Sequence, residues 1–327
     1  MINFFQDQAI GGYQALELPF SETNFNREVI KTNSARSAIK LILSSVGAKK
    51  VWLPTYTCDA VLEAATAIGV AIEFYRVDVN FDVDSEIELE EDEYILIVDY
   101  FGLCSEAVKR SISRFGHTKT VVDCSQSFFS KPFESLASIY SPRKFFGLPD
   151  GGLIYTQDSR IQQPAERDCS SESRMSHLIS RLINSPEAAY EEYLKSEKVI
   201  SELPVQGMSR LTERLLHSLD YGRAKVARSE NAKYLHEHLS EYNHLDLIIN
   251  ENVAPVCYPF LPKVKAASKD ELIRQRVFIP TYWPEVLRRV KVNSFEWNLV
   301  TNGIFLPCDQ RYTEDDMKKL VNLLAIK

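Results

Sequence analysis

The segment "SARSAIKLILSSVGAKKVWLPTYTCDAVLEAATAIG", residues 34–69, alternates between two hydrophobic periodicities. Its first part has apolar residues at helical spacing after small polar residues. The middle part, "KVWLP", is a short apolar strand, and "TCDAVLEAATAIG" is again helical and closes on Gly69. A strand between two helices is typical of an α/β protein.

The same alternation continues on the C-terminal side of this segment. We expect strands at "IEFYRVD", "YILIVDYFG", "TVVDCSQ" and "GGLIYT", with a helix at "SEAVKRSISRFG" between the second and the third. The run "YILIVDYFG" is apolar throughout, as in strands that are buried on both faces. The sequence therefore predicts an α/β fold with a mostly parallel sheet flanked by helices, in which ligands bind at the carboxyl ends of the strands.

The pattern changes after residue 201. A long helical stretch, Ser209 to Tyr242, precedes short apolar segments that we interpret as strands, "APVCYPFLP", "VFIPTYWP" and "GIFLPC", and a closing helix, "TEDDMKKLVNLLAIK". We therefore predict a large domain over residues 1–207, followed by a connecting helix and a small α+β C-terminal domain over residues 208–327.

The composition of the chain argues against several classes of partner. The 327 residues carry a net charge of -7, which argues against nucleic acid or an anionic membrane surface as the main partner. No apolar run reaches membrane-spanning length, and the N-terminus lacks the pattern of a signal peptide, so we expect a cytoplasmic protein. The six cysteines form no C-x-x-C pair, so we expect free thiols and no metal site.

Two strand ends carry polar residues that could bind a ligand. In "TNSARSAIKL", residues 32–41, a helix begins at Ser34 and Ala35, where free amides and Arg36 could hold an anion, although a serine there is also an ordinary cap. In "VVDCSQS", residues 121–127, Asp123 follows two valines and Gln126 comes three residues later. A buried carboxylate needs a cationic partner, which could also be a structural arginine.

A third stretch, "SIYSPRKFFGLPDGG", residues 138–152, places Arg143 and Lys144 among aromatic residues just before a turn. Adjacent cations are most often a solvated surface pair. Together, however, an anion cradle, a buried carboxylate and a lysine in an aromatic pocket are what pyridoxal phosphate requires. The cradle holds the phosphate, the carboxylate keeps the ring nitrogen protonated, and the lysine forms the imine.

These segments resemble those of the DegT-type sugar aminotransferases, a branch of the fold-type I pyridoxal-phosphate enzymes. "NSARSAIKLIL" is similar to the family's "SGTAAL", "VWLPTYTCDAV" to "VIVPSYTFVAT", and "ILIVDYFG" to "IIPVHLYG". "VVDCSQS" resembles "IEDAAQA", "SIYSPRKFFGLPDGG" resembles "SFFPTKNLGALGDGG", and the closing "IFLPCDQRYTEDDMKKLVNLL" resembles "LPLHPGLTEEDVDYVVEAL".

The resemblance implies roles for single residues. Lys144 would form the imine and later move the proton, Asp123 would pair with the ring nitrogen, and Gln126 would contact the ring hydroxyl. The phosphate would lie on the main chain at Ala35 and Arg36.

Further cofactor contacts follow from the same resemblance. Ser138 would add a phosphate contact. Cys58 stands where the family has a ring-stacking aromatic residue, for which Tyr56 is a substitute or else a core tyrosine.

The chain departs from the family at the lysine. An ungapped alignment places the family's lysine on Arg143, and reaching Lys144 needs a shift of one residue. A guanidinium stays protonated and cannot form an imine, so Lys144 is the candidate, and we expect Arg143 to contact the phosphate or a substrate anion. Asp99 also replaces a frequent histidine, and Gln206 and Gly207 replace an asparagine that reaches the partner's phosphate.

The resemblance implies a homodimeric aminotransferase with pyridoxal 5'-phosphate as its cofactor. It would transfer an amino group from glutamate to a nucleotide-linked keto sugar in cell-surface polysaccharide or related amino-sugar biosynthesis. The alternative is a catalytically degenerate protein that binds sugar nucleotides or regulates a partner. An α/β oxidoreductase is disfavoured, because no G-x-G-x-x-G turn follows the first strand.

Overall fold

A seven-stranded sheet forms the centre of the computed structural model, which describes residues 12–20 and 29–326. The strands lie in the order β1-β7-β6-β5-β4-β2-β3, and only β7 runs against the others. Their bounds are β1 (Ile30–Thr32), β2 (Lys50–Pro54), β3 (Ala71–Tyr75), β4 (Glu93–Val98), β5 (Thr120–Asp123), β6 (Ala137–Tyr140) and β7 (Gly152–Tyr155). The mostly parallel sheet predicted from the sequence is confirmed.

Helices flank this sheet and continue into the C-terminal half. They are α1 (Ala35–Ser45), α2 (Asp59–Thr66), α3 (Ser105–Phe115), α4 (Ser176–Ile183), α5 (Tyr190–Glu202), α6 (Arg210–Leu216), α7 (Tyr221–Leu239), α8 (Lys269–Arg274), α9 (Phe295–Asn302) and α10 (Glu314–Leu323). None of the described helices is long and apolar enough to cross a membrane.

The middle of the sheet is the core of the molecule. All six residues of β4 are buried, because β4 lies between β2 and β5 and α3 packs on it. The apolar run "YILIVDYFG" therefore forms the central strand that its composition predicts. Its carboxyl end lies beside the carboxyl end of β5, where Val98 is paired with Asp123.

A second, two-stranded antiparallel sheet lies in the C-terminal half, formed by β8 (Tyr258–Phe260) and β9 (Ile304–Leu306). The helix α10 packs on α7 in the same half. The domain boundary after residue 207 stays a prediction. Around that position the chain is tied to the edge of the large sheet, since the Met208 amide donates to the Lys31 carbonyl.

Two expectations for the C-terminal half were wrong. The stretch from Ser209 to Tyr242 is not one helix, because the Asp220 side chain accepts a hydrogen bond from the Arg223 amide and starts α7 as a new helix. The segment "VFIPTYWP", residues 277–284, contains no strand. Its two prolines have no amide hydrogen to donate to a neighbouring strand.

The start of α1 packs closely against the start of β7, and this contact brings a helix N-terminus to the sheet edge. A Cβ atom on Gly152 would lie 2.5 Å from the Ser34 carbonyl carbon and 2.7 Å from the Ala35 nitrogen. Only glycine fits between these two backbone segments.

We expect Gly152→Ala to lower the free energy of unfolding by about 3 kcal/mol, because the methyl group forces two backbone segments apart. The matched control is Gly222→Ala in α7, where the nearest atom lies at 3.5 Å. There alanine gains helix propensity of up to about 1 kcal/mol. Urea unfolding followed by circular dichroism measures both variants, and equal stability of Gly152→Ala and wild type would contradict this packing.

Candidate active site

The carboxyl ends of the parallel strands bring together residues that are distant in the sequence. Cys58 follows β2, Asp123 ends β5, and Lys144 follows β6 in a short 3-10 turn formed by Pro142–Lys144. The charges of Lys144 and Asp123 both act on the Cys58 thiol, so both groups lie near it. Burial raises the pKa of Cys58, Lys144 counteracts this rise, and Asp123 adds to it.

Asp123 is buried without a cation bound to it. One of its oxygens, Oδ1, accepts a hydrogen bond of 2.8 Å from the Ser125 amide, and its side chain is 8% exposed. It forms no salt bridge with any lysine or arginine of the described residues. The structural arginine that could have explained a buried carboxylate is therefore not found there.

Gln126 presents an unpaired hydrogen-bond donor beside Asp123. Its Oε1 accepts a hydrogen bond of 2.7 Å from the Phe101 amide, which fixes the orientation of the side chain. Its Nε2 is buried and has no partner. Leaving a buried donor unpaired costs about 1–3 kcal/mol, so this amide group is suited to receive an acceptor from a ligand.

The two adjacent cations have different surroundings. Arg143 donates from Nε to the Leu148 carbonyl at 3.4 Å and is ion-paired with Glu197 of α5. Lys144 is exposed, and its ammonium makes no hydrogen bond or salt bridge within the described part of the chain. Of the pair, Lys144 is left without a partner among the described residues and its charge acts on Cys58, while Arg143 is held by another element.

The start of α1 offers the other predicted contact surface. The Ser34 hydroxyl caps the helix by accepting a hydrogen bond of 3.0 Å from the Ser37 amide. The amides of Ala35 and Arg36 belong to the first turn and have no acceptor within the helix. The Arg36 side chain extends toward α2, where its Nε lies 3.7 Å from Glu63, so any anion contact there rests on the main chain.

Two of the predicted contact residues are buried. The Ser138 hydroxyl accepts a hydrogen bond of 3.1 Å from the Phe133 amide and is fully buried within the sheet. The Tyr56 ring is also fully buried and packs on Tyr100 and Trp283 at centroid distances of 5.5 and 4.9 Å. Both residues are thus buried, and the Tyr56 hydroxyl has no hydrogen-bond partner among the described residues. Their contact with a cofactor stays a prediction.

Ser141 is a residue that the sequence analysis missed. It directly follows β6, is buried, and precedes Lys144 by three residues. Its hydroxyl makes no hydrogen bond with the described residues. The signal was present in "SIYSPRK", where a second serine lies closer to the lysine, but only the end of β6 shows which serine lies at the strand's carboxyl end.

Asp99 adds a second buried carboxylate directly behind the site. Its amide donates to the Asp123 carbonyl at 3.1 Å, and its Oδ1 accepts from the Cys104 amide at 3.0 Å. Burial raises the pKa of Asp99 to about 6, and the charge of Asp123 contributes to the rise. The sequence showed Asp99 only as a departure from the family's histidine.

Comparison with solved structures identifies the fold. Sugar aminotransferase CalS13 from Micromonospora echinospora superposes with a TM-score of 0.62 at 15% identity, over 90% of this chain and 86% of that one. A DegT DnrJ EryC1 StrS aminotransferase from Brucella abortus gives 0.57 at 16% identity, over 91% and 85%. The chain has the sugar-aminotransferase fold. The fold-type I architecture predicted from the resemblance is thereby confirmed.

A third structure with this fold has a different activity. E. coli GDP-4-keto-6-deoxy-D-mannose-3-dehydratase superposes with a TM-score of 0.60 at 15% identity, over 90% of this chain and 87% of that one. No protein-family model and no curated protein matches the sequence. The comparisons therefore establish the fold, and the function has to be argued from the site.

Asp99 gives the stability of this protein a specific dependence on pH. Because its pKa is about 6 in the folded protein and 3.8 in the reference state, the folded state holds the extra proton between these values. The contribution of Asp99 to the free energy of unfolding is therefore fully present below about pH 4 and is lost as the pH rises through 6. We expect Asp99→Asn to be more stable than wild type at pH 8 by on the order of 2 kcal/mol, a difference that vanishes near pH 4.

Urea unfolding at pH 8 and pH 4.5 checks this expectation. The control is Asp92→Asn on the surface, where Lys49 lowers the pKa of the carboxyl group. The effect of this substitution on stability therefore has the opposite sign, and the variant is less stable than wild type at the higher pH. An Asp99→Asn effect that is the same at both values of pH would contradict the assignment.

Proposed function

We propose that this protein is a pyridoxal-phosphate-dependent aminotransferase that acts on a nucleotide-linked keto sugar. The observation that carries the proposal is the juxtaposition of an unpaired Lys144 ammonium with a buried Asp123 carboxylate that has no bound cation. The fold supports it, because the solved structures that share it include sugar aminotransferases.

The polar groups at the sheet edge fit this cofactor. Asp123 supplies the charge that a protonated ring nitrogen needs, and the unpaired Gln126 Nε2 supplies a donor for the ring oxygen. The first-turn amides of α1 at Ala35 and Arg36, with the Ser141 hydroxyl, provide donors for the phosphate. Cys58 lies beside them at the position of the ring face.

When bound, pyridoxal phosphate supplies a conjugated ring that takes up the electrons left by breaking a C–H bond of an amino acid. This chain contributes two groups to that chemistry. The Asp123 carboxylate keeps the ring nitrogen protonated. The Lys144 Nζ would hold the cofactor until the donor amine takes its place. The freed amine would then take the proton from the α-carbon of the donor, and in the second half of the reaction it would deliver a proton to the acceptor's carbon.

The structure points to a further role for Arg143. Its guanidinium forms an ion pair with Glu197 of α5 and donates a hydrogen bond to the Leu148 carbonyl. We therefore propose that Arg143 anchors the turn that carries Lys144. The contact of Arg143 with the phosphate or a substrate anion stays a prediction.

The substrate class follows from the same fold. CalS13 is a sugar aminotransferase, and the E. coli dehydratase acts on a GDP-linked keto sugar. We propose glutamate as the amino donor, a nucleotide-linked keto sugar as the acceptor, and a role in cell-surface polysaccharide or related amino-sugar biosynthesis. A homodimer in the cytoplasm, with small molecules as its other partners, belongs to the same proposal.

Covalent labelling tests the assignment of Lys144. We expect that the purified protein, mixed with pyridoxal phosphate and reduced with borohydride, carries the reduced cofactor on Lys144, as located by peptide mass spectrometry. We expect Lys144→Ala to abolish the label, because Lys144 is the amine proposed to form the imine, and Arg143→Gln to retain it. An unlabelled wild type would favour the catalytically degenerate alternative, and a label that persists in Lys144→Ala would contradict the site.

Exchanging Asp123 tests the second group. We expect Asp123→Asn to slow amino transfer by at least about a hundredfold, because a neutral amide does not hold the ring nitrogen protonated. The borohydride label on Lys144 is retained in this variant. The control is Asp99→Asn, which changes a buried carboxylate one strand away, and an equal loss of rate in both variants would count against the assigned role.

A further inference from the structure

The main-chain carbonyl of Phe145, the residue after Lys144, accepts hydrogen bonds from side chains of the C-terminal half of the chain. Gln310 Nε2 donates to the Phe145 carbonyl at 2.8 Å, and Arg228 Nη2 donates to the same oxygen at 3.4 Å. Arg228 lies on α7, and Gln310 lies between β9 and α10. Neither residue belongs to the sheet that carries the rest of the site.

Arg228 is an unusual residue to find at this position. It is 2% exposed and forms no salt bridge among the described residues, although burying a guanidinium is costly. Its donors go to neutral acceptors instead: Nε to Gln310 Oε1 at 2.9 Å and Nη1 to the Pro255 carbonyl at 2.9 Å. The guanidinium also lies 4.5 Å from the centroid of the Phe145 ring.

The arrangement connects Arg228 to the lysine turn by more than one path. Arg228 fixes the Gln310 side chain, Gln310 fixes the Phe145 carbonyl, and the Phe145 ring packs on the guanidinium. The positive charges of Arg228 and Lys144 both act on the pKa of the buried Cys257 thiol, so both cations lie near this small group.

Other contacts also restrain the turn, because Arg143 is ion-paired with Glu197, and Phe145 and Phe146 pack on Phe128 and Phe129. Within it the Lys144 amide donates to the Ser141 carbonyl at 3.2 Å, and the amides of Phe145 and Phe146 donate to the Pro142 carbonyl at 3.0 and 2.9 Å. These local bonds set the shape of the turn but not its position relative to β5. A misplacement of about 1 Å at a reacting group can cost on the order of a hundredfold in rate.

We propose that Arg228 and Gln310 are positioning residues for Lys144, and that they hold its amine toward Asp123 by fixing the Phe145 carbonyl. The inference rests on the proposed function for its catalytic meaning. It assigns to the C-terminal half a direct part in building the site, in addition to covering the sheet.

The test compares Gln310→Met with Asn231→Leu. The first change removes the donor to the Phe145 carbonyl and keeps the side-chain volume. The second removes a more deeply buried amide from the same helix-to-segment contact, since Asn231 on α7 donates to the carbonyls of Cys308, Asp309 and Tyr312 and makes no hydrogen bond with Phe145.

Two measurements report on the turn that carries Lys144. Hydrogen exchange of the Lys144, Phe145 and Phe146 amides is measured on protein without cofactor, and the rate of borohydride-trapped labelling of Lys144 is measured with pyridoxal phosphate present. We expect Gln310→Met to speed the exchange by roughly fivefold to tenfold, as the loss of one ordinary hydrogen bond does, and to slow labelling by a similar factor.

The control and a second variant define the contrary results. Asn231→Leu, the control, is expected to lower the urea midpoint but to leave the exchange rate and the labelling rate at wild-type values. Arg228→Lys keeps the charge but loses the forked contacts of the guanidinium, and we expect it to behave as Gln310→Met does. Unchanged exchange in Gln310→Met, or equal changes in Asn231→Leu, would overturn the inference. If wild type takes no label, the proposed function fails, while the exchange comparison still decides the positioning of the turn.

Discussion

The Asp123 carboxylate, buried at the end of β5 with no cation bound to it, is the constraint around which this structure is organised. A charge removed from water costs several kcal/mol unless it is compensated, and the charge of Asp123 contributes, after burial, to the raised pKa of the neighbouring Asp99. Hydrogen bonds from the Ser125 and Cys104 amides hold the two carboxylates in place without neutralising them. Uncompensated groups of this kind are characteristic of sites that await a ligand. A protonated pyridine ring is a partner of the required charge.

The rest of the fold places other polar groups around the Asp123 carboxylate. The parallel sheet sets the end of β2, the end of β5 and the turn after β6 along one edge. Gly152 lets the start of α1 approach the same edge. Glu197 engages Arg143 on one side of the turn, and Gln310 engages the Phe145 carbonyl on the other, so that Lys144 is left between two anchored neighbours.

The sequence predicts those parts of the fold that depend on local pattern. Hydrophobic periodicity was sufficient for the α/β alternation and for the buried strand β4. It failed at residues 277–284, where apolar and β-branched residues are common but prolines interrupt pairing. It also failed at the helical stretch from Ser209 to Tyr242, because the cap at Asp220 starts a new helix inside a continuous amphipathic pattern.

Side-chain direction was the part of the site that the sequence could not supply. Arg143 is paired with Glu197, which is 54 residues further along the chain, and this long-range contact supports Lys144 as the candidate of the pair. A phosphate contact by Ser138 was expected from its position before the lysine. In the structure the Ser138 hydroxyl accepts a hydrogen bond from the Phe133 amide, and Ser141 is the serine that lies at the strand end. The contributions of Arg228 and Gln310 come from residues with no local signature, and only the tertiary packing of the C-terminal half brings them to Phe145.

The most direct measurement of the central claim is a crystal structure of the protein grown with pyridoxal phosphate. The account predicts continuous electron density from Lys144 Nζ into the cofactor, with a carboxylate oxygen of Asp123 within about 3 Å of the ring nitrogen. Density for the cofactor on another lysine, or a ring nitrogen that faces away from Asp123, would contradict it.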